Sequence, residues 1–216
     1  MKKPLLYHVL IAPFLFILFS ALSSTAQTQD SLLKAHQFKA GLKLLGAGAS
    51  YERKLSASAT VYIESSVNYM AGSALYMRYS YVDPAKSSYD FYDGSGYVKT
   101  AFENKNTYSW VPAISSELRH YYNIKKRTAR KKNVSNNSFD FVGLGASYMF
   151  DAKTNVEGLK HNSFFAGYGT WGIQKSVWDV FSFEFNLGPG IRYTPALDKS
   201  AEFYINANLK FDLVIK

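Results

Sequence analysis

Few residues of this chain could perform catalysis. Cysteine is absent, which excludes disulfides, thiol catalysis and cysteine-based zinc sites. The four histidines (His8, His36, His120 and His161) lack the close pairing of metal-binding motifs. His161 and Ser163 have a catalytic spacing, because alternate residues of a strand share a face and a histidine can deprotonate a hydroxyl nucleophile. Two polar residues at the end of a loop explain this pair more simply, so we predict no enzyme activity and no metal or cofactor.

A larger group of ionisable residues lies on the polar face of the predicted strands. Paired carboxylates could act as the acid and the base of glycoside hydrolysis. Here, however, basic and acidic residues are equal in number, and an unpaired buried charge is costly. We therefore predict an interior structural network of ion pairs. Its ten members are Lys39, Lys43, Arg119, Arg192, Lys210, Glu52, Glu64, Glu117, Glu184 and Asp212.

The elements that must position these residues are strands. Apolar and polar residues alternate with period two, most clearly in residues 181–193 and 203–215. Residues 37–54 form either one long strand or a hairpin with a turn at Leu45-Gly46, and an even strand count favours the hairpin. The side-chain register of residues 138–150 stays open. The pattern predicts an all-β fold of eight strands, near 37–45, 47–54, 60–69, 108–122, 138–150, 163–174, 181–193 and 203–215. Eight strands enclose an interior just wide enough for side chains, so the charged residues should plug it.

The first 26 residues have the features of a secretory signal peptide. Lys2 and Lys3 precede an apolar run over residues 9–22, and small residues follow up to Ala26, after which we expect cleavage. The apolar run of about 14 residues is shorter than the roughly 20 that a membrane-spanning helix needs. Residues 27–216 then form a single exported β-barrel domain.

The positive charge of the chain is local. The formal net charge of +9 falls to +7 without Lys2 and Lys3, and +6 of this lies within residues 125–132. A nucleic-acid-binding protein spreads its Lys and Arg residues over a face or a groove, so nucleic acid is excluded as a partner. The basic run is either a contact for the phosphates of the inner leaflet of a membrane or a solvated turn.

The connections between the predicted strands alternate in character. Outer-membrane barrels have short periplasmic turns and longer external loops, so we expect both chain ends on the periplasmic side. The tyrosine-rich segment 70–106 either binds an unknown extracellular ligand or extends the strands beyond the membrane, and we favour extension. The polar turns lie near 55–58, 125–137 and 175–179, and the external segments near 70–106, 151–162 and 194–200.

Alternation by itself does not determine which face points outward. A soluble, secreted lipocalin-like barrel would have its apolar side chains inside. Its outer face would be crowded with Lys and Glu, whereas the polar face here carries mostly Ser, Thr, Asn and Gly. Aromatic residues at the strand ends are similar to the girdles of membrane barrels, which favours lipid outside. These residues are Tyr108, Trp110, Tyr122, Trp171, Phe181 and Tyr193.

The whole mature chain resembles the small eight-stranded outer-membrane barrels of Gram-negative bacteria, the OmpA/OmpX-like class. Residues 49–55, 171–175 and 186–190 look like turn-flanking stretches of such barrels. The resemblance implies an antiparallel up-and-down transmembrane barrel in the outer membrane, with lipid and the barrel-assembly machinery as partners and a scaffold role. Many such barrels end on an aromatic residue, whereas this sequence ends at Lys216. Barrel esterases that deacylate lipid A use a His-x-Ser pair, which leaves an esterase as the weaker alternative.

Overall fold

The computed structural model describes residues 32–81, 97–197 and 201–215 of the chain. The predicted signal peptide and residues 82–96 lie outside the described residues. Within those residues, no helix is long and apolar enough to cross a membrane. The strands are β1 (His36–Lys43), β2 (Gly46–Lys54), β3 (Ala59–Tyr81), β4 (Tyr97–Tyr121), β5 (Asp140–Met149), β6 (Ala152–Lys153), β7 (Lys160–His161), β8 (Phe164–Val177), β9 (Phe181–Tyr193) and β10 (Glu202–Ile215).

Eight of these strands form one closed antiparallel sheet, here called the ring. Each pairs with the next ring strand along the chain, β5 pairs with β8 across the small β6–β7 hairpin, and β10 pairs with β1. The prediction of eight antiparallel strands is therefore confirmed, and residues 37–54 form the hairpin. Its turn is Leu44–Leu45, one residue earlier than predicted. Gly46 follows with a φ of 154°, and a Cβ there would lie 2.2 Å from the carbonyl oxygen of Val67, so glycine is required.

The two faces of the ring differ in polarity. On β4, Arg119 is fully buried inside the ring, whereas its neighbour Leu118 is 55% exposed on the outside. On β5, where the sequence left the register open, Phe141 is buried and Leu144 is 72% exposed. Gly143 and Gly145 therefore face inward, since alternate residues of a strand share a face. The ring is polar inside and apolar outside.

The connections fall into two groups at opposite ends of the ring. The terminal end holds the β2–β3, β4–β5 and β8–β9 connections together with both ends of the described chain. The loop end holds the β1–β2 turn and the β5–β8 and β9–β10 connections. Beyond the loop end, β3 and β4 continue as a paired arm, with Tyr81 opposite Tyr97. This confirms strand extension for the backbone of residues 70–81 and 97–106.

The β4–β5 connection closes the terminal end. It contains a short helix, α1 (Ile124–Ala129), and a 3-10 turn at Ser135–Asn137. The turn and the residues after it fold beneath the ring, where Phe139 packs with Leu33, Tyr121 and Phe141 in an apolar cluster. We call residues 134–139 together with Leu33 the terminal plug. The sequence predicted a polar turn over residues 125–137 and a strand from residue 138, whereas the strand begins at Asp140 and residues 138 and 139 belong to the plug.

Hydrogen bonds hold the terminal plug in place. The Nδ2 atom of Asn136 donates to the carbonyl oxygen of Asp179 at 2.9 Å and to Oγ of Ser176 at 3.0 Å. The side chain of Gln174 donates from Nε2 to the carbonyl oxygen of Asn136 at 2.7 Å. Asn136 and Asn137 are both buried with φ of 53° and 55°, a left-handed conformation that asparagine tolerates better than most residues. Chain segments far apart in sequence therefore bury these polar residues.

Interior aromatic rings lie against glycines of the neighbouring strand. Tyr168 pairs directly with Gly145, and Phe141 pairs with Gly172. A Cβ at Gly145 would lie 2.6 Å from the Tyr168 ring, and one at Gly172 would lie 2.3 Å from the Phe141 ring. The absence of a side chain at these positions gives each ring the space it occupies.

We expect Gly145→Ala to lower the free energy of unfolding by about 1–3 kcal/mol, because the new methyl group overpacks the interior against Tyr168. Gly167→Ala is the matched control, since a Cβ at Gly167 would have no atom of the described structure within 4 Å. Urea-induced unfolding followed by tryptophan fluorescence measures both. Equal stability of the Gly145 variant and the wild type would contradict this account of the interior packing.

Candidate functional site: the charged interior and the apolar exterior of the ring

Arg119 lies inside the ring, two residues from the terminal end of β4, with no exposure to solvent. Its Nε donates to Glu117, two residues away on β4, at 2.7 Å. Its two terminal nitrogens donate to the two carboxylate oxygens of Glu184 on β9, at 3.0 and 2.9 Å. The guanidinium also lies 3.7 Å from the centre of the Tyr62 ring and 4.4 Å from that of Phe141. A buried cation is thus paired with two carboxylates and stacked on aromatic rings, as a stable buried charge requires.

The ion pairs continue from Glu184 toward the loop end. Lys210 Nζ lies 2.9 Å from Glu184 and 3.0 Å from Glu64, and it donates to the Tyr62 hydroxyl at 2.7 Å. Glu64 also pairs with Lys43 at 2.5 Å. Because charges of opposite sign alternate along this chain of contacts, each buried charge has a counter-ion beside it. The residues of this chain of ion pairs are, in order, Glu117, Arg119, Glu184, Lys210, Glu64 and Lys43.

A second buried group lies nearer the terminal end. Lys39 Nζ is 3.7 Å from Glu52, which also accepts hydrogen bonds from Thr60 at 2.8 Å and from the Tyr121 hydroxyl. Asp212 is buried in the same region, but its Oδ2 has no hydrogen-bond partner in the described part of the protein. Tyr121 therefore links the terminal plug to this group, because its ring packs against Phe139 and its hydroxyl donates to Glu52.

Nine of the ten residues predicted for the interior network lie inside the ring. Arg192 is the correction, because it sits at the rim of the loop end and pairs with Glu202 at 3.0 Å, with both side chains about 40% exposed. Arg192 and Glu184 are an even number of residues apart on β9, so both point to the inner face. This alternation does not tell how far from the rim a residue lies. Tyr121 and Gln174 contact the network and were not among the predicted residues. Tyr121 could have been included, since it lies two residues from Arg119 on the same face.

The loop end of the interior is partly open. Beyond the network lies a cavity of about 260 Å³, lined by polar side chains and by the rings of Tyr168 and Tyr204. At the opposite end, the terminal plug covers the ring. The plug residues Asn136, Asn137 and Phe139 are at most 1% exposed there.

The outside of the ring is lined with large apolar side chains. Several of them are more than half exposed. In most soluble proteins, large apolar residues with this exposure occur singly on the surface. A continuous apolar surface of this kind marks an interaction with protein or membrane. The most exposed of these ring residues include Phe38, Leu42, Trp110, Leu118, Leu144, Ile191, Phe203, Ile205 and Phe211.

The six predicted girdle residues all point outward and form two rows. Trp110 lies on β4 and Tyr122 just after its end, twelve residues apart, and Phe181 and Tyr193 are the two ends of β9, also twelve residues apart. Twelve residues span about 40 Å along a strand, and a tilt of about 45° reduces this to a height of about 28 Å. This height is close to the apolar band of about 25 Å in membrane barrels. The loop-end row contains Tyr108, Trp110 and Tyr193, and the terminal row contains Tyr122 and Phe181. Trp171 lies midway along β8, opposite Leu187, and joins the terminal row through its side chain.

Contacts within each row support this grouping. In the terminal row, Trp171 Nε1 donates to the Tyr122 hydroxyl at 2.9 Å. In the loop-end row, the Tyr69 ring lies 5.4 Å from that of Trp110 and 6.4 Å from that of Tyr108. Tyr69 was not predicted as a girdle residue, although it shares the outward parity of Val67 on β3.

The His161 and Ser163 pair lies in the β5–β8 connection at the loop end. No hydrogen bond joins their side chains within the described residues. Asp151 instead accepts from the backbone N–H of Ser163 and from Lys160, and the Ser163 N–H holds the pKa of Asp151 below its ordinary value. Burial lowers the pKa of His161, and the positive charge of Arg192 lowers it further. Within the described residues, the Nε2 atom of His161 is buried without a hydrogen-bond partner.

No known family, characterised protein or solved structure matches this chain. The resemblance to OmpA/OmpX-like barrels stays a prediction. The feature that bears on function is the contrast between the charged interior and the apolar exterior.

We expect Arg119→Ala to lower the free energy of unfolding by about 3–5 kcal/mol, because Glu117 and Glu184 lose their shared cation while still buried. Arg192→Ala removes the same charge from the half-exposed rim and should cost at most about 1 kcal/mol. Denaturant unfolding of the refolded variants measures both values.

A third variant separates lost charge pairing from lost packing. Arg119→Met combined with Glu117→Gln removes one cation and one anion together and leaves Glu184 paired with Lys210, so it should be more stable than Arg119→Ala alone. Wild-type stability of Arg119→Ala would show that Arg119 does not anchor the network.

Proposed function

We propose that this protein is an integral outer-membrane β-barrel that acts as a structural or surface-interaction scaffold. The observation that supports this most directly is the inverted polarity of the ring. Charged groups such as Arg119 and Glu184 are buried inside, while side chains such as Leu144 and Phe203 are exposed outside. A closed sheet of this kind satisfies every ladder hydrogen bond without an edge, which is the requirement for crossing a bilayer with strands.

The spacing of the aromatic rows supports the same proposal. Their separation of about 28 Å in height suits the interfaces on the two sides of a hydrocarbon layer. In this arrangement the terminal end faces the periplasm, and the arm formed by β3 and β4 projects from the cell surface. The predicted signal peptide would direct export, and the barrel-assembly machinery would insert the mature chain.

The soluble lipocalin-like alternative is less well supported. Such a barrel stores apolar side chains and an apolar ligand inside, whereas this interior holds paired charges. The deacylase alternative needs a base within hydrogen-bond reach of the serine hydroxyl. His161 and Ser163 lack that contact in the described structure, so a scaffold without enzyme activity is the better-supported function.

We expect the protein to fractionate with the outer membrane and to migrate at different positions on an SDS gel before and after boiling, because a closed barrel resists the detergent until heated. Gly167→Ala, which introduces no overlap with neighbouring atoms, serves as a folded control. Identical mobility together with recovery in the soluble periplasmic fraction would favour the lipocalin-like alternative.

We expect little ion conductance from the proposed barrel in planar bilayers, because the ion-pair network fills its middle and the terminal plug covers one end. Asn136→Ala combined with Asn137→Ala removes hydrogen bonds that fix the plug. Asn155→Ala, which removes asparagine hydrogen bonds at the loop end, is the control. The network still blocks the middle, so the double variant should remain poorly conducting. Stable, large conductance steps from the wild type would contradict a scaffold with a filled interior.

A further inference from the structure

The terminal end of the ring carries a strong excess of positive charge. In the described chain, and apart from the interior network, its carboxylates are Asp140 and Asp179, and Asp140 is already paired with Lys175 and with Asn123. Charges at the loop end are more evenly matched, with Lys160 paired to Asp151, for example. The cations at the terminal end are Lys34, Arg53, Lys54, Lys125, Lys126, Arg127, Arg130, Lys131, Lys132 and Lys175.

Four of these cations line one cleft beside α1, with a volume of about 460 Å³. Arg127 is held in place by its bond to the carbonyl oxygen of Asn133 at 2.7 Å, and its Nε is buried with no hydrogen-bond partner among the described residues. The cations Lys126, Arg130 and Lys132 are exposed. The cleft therefore offers several unused donors to an anion, and Asp140, the carboxylate in its wall, is neutralised by Lys175. Its main walls are Tyr122, Lys126, Arg127, Arg130, Lys132 and Asp140.

The cleft opens beside the terminal aromatic row. Tyr122 forms one wall of it, and the same ring points outward, 51% exposed, with its hydroxyl bonded to Trp171. One side of the cleft is thus apolar and lies at the level of the proposed membrane interface, while the other sides are cationic. This combination fits a ligand that has a phosphate attached to an apolar body, because Arg and Lys bind phosphate oxygens and tyrosine suits the interface.

We propose that the cleft beside α1 binds the headgroup phosphate of an anionic phospholipid in the leaflet at the terminal end. This inference rests on the proposed function, since it requires the ring to span a membrane. It resolves the two interpretations of the basic run in favour of a lipid contact. Bound lipid would fix the depth of the terminal end and link α1 to the bilayer surface.

The test compares lipid binding by two variants that lose the same charge. The cleft variant is Lys126→Gln, Arg130→Gln and Lys132→Gln, which leaves the plug contact of Arg127 intact. The matched control is Lys54→Gln, Lys125→Gln and Lys131→Gln, three cations of the same end outside the cleft walls. Each is inserted into nanodiscs of phosphatidylcholine alone or mixed with an equal amount of phosphatidylglycerol. Native mass spectrometry after detergent release then measures the retained phosphatidylglycerol.

We expect the wild type to retain phosphatidylglycerol in preference to phosphatidylcholine. The cleft variant should lose about tenfold in this preference and the control less than about twofold, because only the first loses cations that converge on one phosphate. Equal losses would show a diffuse basic surface and overturn the site. Displacement of the lipid by soluble glycerol phosphate at similar concentration would show a free-phosphate site and overturn the lipid assignment.

The failure of this inference is distinguishable from the failure of the proposed function. If the wild type inserts into phosphatidylcholine nanodiscs and keeps its heat-dependent gel shift but shows no preference for phosphatidylglycerol, the lipid site is wrong and the barrel stands. If the wild type inserts into neither membrane, the proposed function itself is wrong.

Discussion

The pairing of the Arg119 guanidinium with Glu184 and Glu117 is the interaction on which the rest of the structure depends. An arginine cannot lose its charge when buried, so the fold must supply anions that reach it. Glu184 does so with two parallel hydrogen bonds from the opposite side of the interior. It then requires Lys210, which in turn shares Glu64 with Lys43. One buried cation thus constrains the positions of β1, β3, β9 and β10 relative to β4.

The same network determines what the ring presents to its surroundings. Strand side chains alternate between two faces, so a face that collects charged groups inside leaves the apolar residues outside. Phe38, Leu144 and Phe203 are exposed for this reason. An apolar exterior of this kind is more stable in hydrocarbon than in water. The ion pairs inside the ring are thereby connected to the proposed location in a membrane.

The two ends of the ring differ in how they are covered and in which residues they expose. At the terminal end, the plug covers the interior and α1 lies beside it with a concentration of basic residues. At the loop end, the interior opens into a polar cavity and the arm of β3 and β4 extends beyond the other strands. This asymmetry agrees with the proposed scaffold, which would be anchored at one surface of a membrane and present chain at the other.

The sequence by itself determined the strands and their faces, because alternation with period two is a local property that neighbouring residues carry. It placed Lys39, Glu64, Arg119 and Glu184 on one polar face, and the structure buries all four. Tertiary structure alone decided depth and partnership. Arg119 meets Glu184 65 positions away and Lys210 meets Glu64 146 positions away, distances over which no local pattern acts. For the same reason Arg192 shares the correct face yet lies at the rim, and Gly145 of the glycine-rich β5 faces the Tyr168 ring of β8. The asparagines of the terminal plug are buried because remote segments supply their hydrogen bonds.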